Sequence, residues 1–334
     1  MIMSNFYNFM ALFLMSFIPL MVVAIGAMMS EKGGVTNIAL EGIMILGAFC
    51  GVLVVKFVGR AIGINADSSM WTIQSVYLLG LLVAAAAGIL VALLHAFASI
   101  NLAANQIISA TAINTLAPAL VVFLTMTLAL GQTRGSDEIE VPYALFKIKE
   151  MGFLSKIPVL GNLFFKDVNL SIFIGVTILI VSYIILYKTR LGLRIRACGE
   201  HPEAADSVGI NVYKTRYFGT LASGALAGIG GYMLITNMYT VYNGSVAGYG
   251  FLAMAVMIFG NWKPFKIALA AAFFSFLTVL ASGIAYIPFL ENLGFSNEVL
   301  KMLPFIATLV VLIFFSKTNQ GPKANGIPYQ KGGK

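Results

Sequence analysis

The sequence predicts an all-α, polytopic membrane protein with about eight to ten transmembrane helices. Three observations carry this. Only 10% of the residues are charged, where a soluble domain carries roughly a quarter. Mean hydropathy is +0.91. The apolar residues gather in uniform runs of about 20, the length of a membrane-crossing helix, and not in the ~10-residue alternating segments of a barrel.

Taken in order, the first span is residues 9–29, with Pro19 and Gly26 inside it. Ser30 to Gly34 breaks the run. The second span, 37–58, opens on the polar residues Thr36, Asn37 and Glu41. The third is 73–94, closed by His95. The fourth, 103–130, starts among amides: Asn101, Asn105 and Ser109 recur every four residues, the spacing of one helical face, with Gln106 and Asn114 beside them. Residues 131–168 form the longest interruption, with a short surface helix expected from Tyr143 to Phe153. Spans five and six are 169–187 and 217–238, separated by the loop 188–216 with its six basic residues. After a polar, Gly-rich hinge from Tyr239 to Gly250, span seven, 249–261, is short enough to be re-entrant or broken. Spans eight and nine are 267–286 and 300–316. The organisation is thus a single transmembrane domain, 1–316, followed by a basic tail, 317–334, whose Gly, Pro and Lys content predicts disorder.

The net charge of +8 does not indicate nucleic acid, because the basic residues flank apolar spans. The 188–216 loop, the 262–266 turn and the tail are the basic segments, so they define the cytoplasmic side. The two cysteines, Cys50 and Cys198, lie in an apolar span and a polar loop and are not expected to pair.

No G-x-x-x-x-G-K-[ST] run is present, so the chain has no P-loop. Gly224 and Gly228 form a GxxxG pair inside an apolar span, where its meaning is close helix approach. His95 and His201 have no Cys/His cluster around them, and a lone His at a span end is ordinarily interfacial. Neither an enzyme nor a metal site is expected, and no cofactor.

Polar residues inside spans are costly in lipid and become candidates for function. Asn37, Glu41, Asn105, Gln106, Asn114, Asn237 and Asn243 are the candidate path residues. Amides offer both donors and acceptors to a neutral polar solute. They serve interhelical hydrogen bonds equally well, and Glu41 can equally bond local backbone near the interface; both readings stand at this point.

The 188–216 loop contains a tightly bounded helix. Pro202 suits a first helical turn, Glu203 suits the dipole there, Ala204 and Ala205 favour helix, and Gly209 stops it. The expected helix is 202–208.

These residues resemble a known family. Arg196-Ala197-Cys198-Gly199-Glu200-His201-Pro202-Glu203-Ala204-Ala205, continuing to Gly209-Ile210-Asn211, is similar to the coupling-helix signature of ABC importer permeases in the simple-sugar, nucleoside and branched-chain amino-acid group. His201 stands where that group usually has Asn. Asn37-Ile38-Ala39-Leu40-Glu41-Gly42, continuing to Gly47-Ala48-Phe49, and Asn105-Gln106-Ile107-Ile108-Ser109 resemble patterns of the nucleoside branch, with Ala110 where Gly is usual.

The resemblance implies a type II ABC importer-like fold and a permease subunit in the bacterial cytoplasmic membrane. It implies that an ATPase docks on Gly199, Glu200, Pro202, Glu203, Ala204, Ala205, Gly209 and Ile210. ATP and Mg would reside on that partner. A second permease subunit, a homologous one in preference to a second copy, and an extracytoplasmic lipoprotein would complete the transporter, in contact with membrane lipids. The implied solute is nucleoside-like. A monosaccharide is the alternative within the class; an ion-coupled secondary transporter is the alternative outside it.

Overall fold

The computed structural model describes residues 2–282, apart from 66, 129, 131–135, 151–154, 156–160 and 162–164, together with 302, 306 and 321–331. The expected ninth span, 300–316, therefore lies outside the described residues but for two isolated positions.

Helix α1 (Ile2–Lys32) runs through Pro19, followed by α2 (Leu40–Ile62), α3 (Met70–Ala96) and α4 (Gln106–Thr127). Beyond the long loop come α5 (Ser171–Lys188), α6 (Arg190–Glu200), α7 (Pro202–Ser207), α8 (Val212–Met238), α9 (Tyr249–Phe259) and α10 (Pro264–Ser282). Among the described residues, six helices are long and apolar enough to cross a membrane, and Tyr249–Phe259 and Pro264–Leu280 are shorter apolar stretches, in α9 and α10.

The centre of the bundle is α8, packed on α1, α2 and α3. Its small residues are the reason. A side chain on Gly228 would strike the backbone of Ala84, and one on Gly224 would strike the Gly88 carbonyl. In lipid, where apolar side chains gain nothing by leaving their solvent, such close backbone approach supplies the packing. Tyr77 and Tyr232 fill the space above, fully buried, with ring centroids 5.3 Å apart.

Two departures from regular helix shape the molecule. The first is the segment 33–39 between α1 and α2. It is irregular but buried, with Asn37 beside Ser223 in the middle of α8. The second is the end of α3, which passes into a π-turn (Phe97–Asn101), after which Ala103 takes a positive φ of 49°. Asn105 then caps a new helix, accepting from Ile107 and Ile108 N–H at 2.9 and 3.3 Å. Asn101, Asn105 and Ser109 therefore do not share one helical face: the cap bonds start α4 afresh at Gln106.

After α8 the chain turns back into the bundle. Strand β4 (Val241–Tyr242) pairs antiparallel with β1 (Ile139–Glu140) of the long loop. Tyr242 then donates to the Ile45 carbonyl at 2.7 Å, well inside α2. Helix α9 starts against Glu41, in the first turn of α2, and ends where Trp262 Nε1 donates to Glu31 at the foot of α1, 2.7 Å. Its 11 residues span about 16 Å, half a hydrocarbon core of about 30 Å. The expectation of a re-entrant or broken seventh span agrees with this geometry.

The long loop differs from expectation. Among the described residues of the helix expected from Tyr143 to Phe153, only Tyr143–Phe146 is helical, as a single 3-10 turn; 151–153 lie outside the described residues. Lys147–Glu150 forms β2, paired antiparallel with β3 (Lys166–Asn169). Ile148 and Val168 stand directly opposite each other on the two strands and are both buried, which explains why the strand wins there.

The basic tail also differs. Residues 321–331 pack on the end of the bundle that carries Lys32, α6 and α7, with Pro322, Ala324 and Tyr329 buried. Disorder was expected from composition, but these three apolar residues find a preformed seat. The basic segments thus gather at one end, as the charge pattern predicts.

Candidate functional site

The site has two parts: an exposed helix at the basic end, and a polar knot above it. The helix is α7. His201 precedes it, Pro202 occupies the first turn, and the end is closed by two hydrogen bonds: Gly209 N–H to the Asp206 carbonyl at 2.9 Å and Ile210 N–H to the Ala205 carbonyl at 3.0 Å. That pair is a Schellman closure, and Gly209 has the positive φ (81°) it requires. The expected boundary is met to within a residue. Asn211 then caps α8 by accepting from Lys214 N–H at 2.9 Å.

The eight residues expected at the ATPase-docking site divide by exposure. Glu203, Ala204 and Gly209 are exposed, and Glu200, Pro202 and Ile210 are half-buried. Gly199 and Ala205 are buried and face the protein. A side chain on Gly199 would strike the Lys32 carbonyl, so this glycine lets α6 end directly on the foot of α1. Val208, outside the expected docking set, is 74% exposed at the end of this helix. An apolar residue just before a helix-stopping Gly is the signal that could have found it. Cys198, beside Gly199, is buried with Ala205, Val212 and Tyr329, and burial pushes its thiol up.

Directly above lies segment 33–39. Ser30 Oγ donates to the Val35 carbonyl at 2.7 Å, and Thr36 N–H donates to Gln106 Oε1 at 2.7 Å. Asn114 Nδ2 donates to the Ile38 carbonyl at 2.9 Å, while its Oδ1 accepts from Gly42 N–H at 2.8 Å. Asn37 Nδ2 donates to Ser223 Oγ at 2.9 Å. His95, in the last turn of α3, is fully buried. Its Nε2 lies 3.1 Å from the Thr36 carbonyl, so that nitrogen donates, and Nδ1 accepts from Ser109 Oγ at 3.1 Å. Irregular backbone within a membrane protein is tolerated only when its polar groups are satisfied in this way. For Asn37, Gln106 and Asn114 these contacts favour the interhelical-bond reading.

Glu41 does not bond local backbone. Its two carboxylate oxygens accept from Gly248 and Gly250 N–H at 2.9 and 2.7 Å, across more than 200 residues of sequence, and so close the N-terminus of α9. Asn237 sits at the opposite end of the bundle, accepting from Asn169 Nδ2 at 2.8 Å and donating to Ser171 Oγ at 3.0 Å. Asn105 is exposed and serves as the α4 cap. Asn243 is exposed on the inward turn, one residue before Gly244, which packs on Val121 of α4.

That turn adjoins a helix whose outer face is bare. Ile107, Ile108, Thr111, Ala112, Thr115, Leu116 and Ala119 of α4 line an open, uncharged face. The structure does not bring the seven candidate path residues into one cavity. It places three in the knot, one at the α9 cap, one as the α4 cap, one at the far end and one exposed on the inward turn, next to the Gly244 that packs on α4. Among the described residues there is no cluster of three metal-ligating side chains.

A model of the branched-chain amino acid transport system / permease component family matches residues 9–313. The chain is 41% identical to the guanosine ABC transporter permease protein NupQ of Bacillus subtilis (strain 168), over 94% of this chain and 93% of the relative. It is 38% identical to the nucleoside ABC transporter permease protein NupC of Lactococcus lactis subsp. cremoris (strain MG1363), with the same coverage. It is also 30% identical, over 48% of this chain and 43% of the relative, to the nucleoside ABC transporter permease protein NupB of that strain. No solved structure matches the chain. With its membrane-crossing bundle and a family match over nearly its whole length, the chain belongs to the branched-chain amino acid transport system / permease component family, as a multi-pass membrane protein.

Proposed function

We propose that this chain is the transmembrane subunit of an ATP-driven importer for nucleosides in a bacterial cytoplasmic membrane. The observation that carries the reading is α7: a two-turn helix, closed at its end by Gly209, displaying Glu203, Ala204 and Val208 outward while Gly199 seats its base on α1. An ATPase subunit grips that helix, and ATP and Mg belong to the partner. Closure of the ATPase pair displaces α7, and the segment 33–39 passes the displacement to α4 through Gln106 and Asn114.

The solute path runs along the open face of α4, with Asn243 beside it. A second, homologous permease subunit covers that face, a reading supported by the two permeases named NupC and NupB in one strain. An extracytoplasmic lipoprotein delivers the solute. The chemistry of the path supports a neutral one. The N-terminus of a half-helix attracts anions, but here Glu41 already occupies it. The α4 face offers threonines and apolar groups and no charge. An unphosphorylated nucleoside, with a flat apolar base and hydroxyls, fits these terms. The names of the two relatives that cover most of the chain support the same solute.

The test is uptake of radiolabelled nucleosides by cells expressing this chain with its ATPase, second permease and lipoprotein. ATP-dependent nucleoside uptake is expected, lost when the ATPase is inactivated. Uptake of monosaccharides alone, or uptake that follows an ion gradient without the ATPase, would overturn the reading.

A further inference from the structure

The docked segment 321–331 crosses the junction between α7 and the membrane bundle. Its contacts reach every element there. Ala324 N–H donates to the Gly199 carbonyl at 2.9 Å, at the end of α6. Thr36 Oγ1 donates to Asn325 Oδ1 at 3.0 Å, in the polar knot. Arg216 Nη1 of α8 donates to the Ile327 carbonyl at 2.9 Å, and its guanidinium lies 6.0 Å from the Tyr329 ring. Tyr329 packs with Cys198, Ala205 of α7 and Val212 of α8, and against the Tyr213 ring at 5.7 Å. Lys331 lies 3.8 Å from Asp206 of α7.

Arg216 makes the segment necessary. It is among the largest fully buried side chains, at 2% exposure. Among the described residues its Nε and Nη2 have no hydrogen-bond partner, so the Ile327 carbonyl and the Tyr329 ring are what the tail offers a charge held away from water. A buried cation with so few partners is costly if that cover leaves without water replacing it. Segment and helix end are therefore energetically tied.

We propose that residues 321–331 are a strap that positions α7 on the bundle, so that a displacement of α7 is carried into the segment 33–39 instead of being lost in loop motion. Tyr329 is a positioning residue in this device, and Arg216 is its anchor. The coupling role rests on the importer reading above; the strap itself does not.

Cys198 reports on the strap directly. In inverted vesicles carrying the Cys50→Ser chain alone, Cys198 is the sole thiol. Deleting residues 321–334 is expected to raise its labelling by a membrane-impermeant maleimide at least about tenfold, because the local opening that exposes it becomes easier. Tyr329→Ala is expected to act in the same direction, and Tyr329→Phe, which keeps the ring, is expected to restore slow labelling. The point variants decide the matter if the deletion fails to reach the membrane. Equal labelling of all forms would overturn the strap.

With the ATPase and the other subunits present, the solute transported per ATP hydrolysed is expected to fall about tenfold in Tyr329→Ala, within the range of typical coupling energies. It is expected to recover in Tyr329→Phe. Faster labelling with unchanged coupling would overturn the positioning role alone. Failure of the full-length chain to stimulate the ATPase would sink both the importer reading and the coupling role, leaving the labelling result to stand for the strap.

Discussion

Glu41 and Gly250 face each other across the bundle, with the carboxylate accepting the glycine N–H at 2.7 Å; the second oxygen takes the N–H of Gly248 at 2.9 Å. Helix α9 thus begins in the protein interior with its first donors satisfied by a side chain from α2. A charge-assisted bond of this kind contributes about 1.5–3 kcal/mol. Glu41→Gln keeps one acceptor and loses the charge, so it is expected to lower the detergent-solubilised melting temperature and to reduce uptake. Glu41→Ala is expected to do more of both. An unchanged melting temperature in Glu41→Ala would show that α9 does not depend on this cap.

Packing at the centre of the bundle makes a second prediction. Gly228 of α8 lies against the backbone of Ala84 and against Gly47, with no room for a Cβ at either. Overpacking of this kind costs about 1–3 kcal/mol for small groups, and a larger side chain must force the helices apart. Gly228→Leu is expected to be lost from the membrane fraction. Gly59, whose added Cβ would meet nothing within 4 Å, is the control: Gly59→Ala is expected to express normally.

The knot and the path are separable by a pair of substitutions. Asn114→Ala leaves the Gly42 N–H and the Ile38 carbonyl without their partner, and an unsatisfied buried group costs about 1–3 kcal/mol. It is expected to lower stability and uptake together for every solute. Asn243 is exposed, so Asn243→Ala is expected to leave stability alone and to change apparent affinity among nucleosides. Purified-protein melting curves set beside uptake kinetics distinguish the two. Were Asn243→Ala to transport every nucleoside as the parent does, the inward turn would not belong to the path.

Much of this architecture is legible from sequence because the membrane enforces it. The runs behind α1 to α4, α5 and α8 must be long and apolar, and α9 betrays itself by being too short. Helix α7 is legible for a local reason: Pro202 and Gly209 punctuate it within eight positions. What is hidden is partnership. Gln106 and Thr36 are 70 residues apart, and Glu41 and Gly250 are 209 apart; no periodicity links them. An amide facing solute and an amide facing a neighbouring helix carry the same letter. The tail misleads in the opposite direction, since composition reports its average and docking depends on a few particular positions, with Pro322, Ala324 and Tyr329 buried and Asn325, Ile327 and Lys331 bonded to the bundle.

The end of α7 supplies the last prediction. Gly209 holds φ at 81°, with open space where a Cβ would stand. A substitution there is resisted by backbone strain alone, about 1–2 kcal/mol for an L residue in the left-handed region. Gly209→Val is therefore expected to loosen the Schellman closure and let α7 fray while the spans fold normally. Val208→Asp attacks the same helix from outside: it leaves the backbone untouched and places a charge where an apolar residue is 74% exposed. If the ATPase grips this face, Val208→Asp reduces recovery of the ATPase with the solubilised chain. Gly209→Val retains the ATPase but lowers solute moved per ATP. Membrane abundance stays at the parent level in both. Co-purification and coupled uptake, measured on the same preparations, check the pair. Full recovery of the ATPase with Val208→Asp would place its grip elsewhere on the basic end.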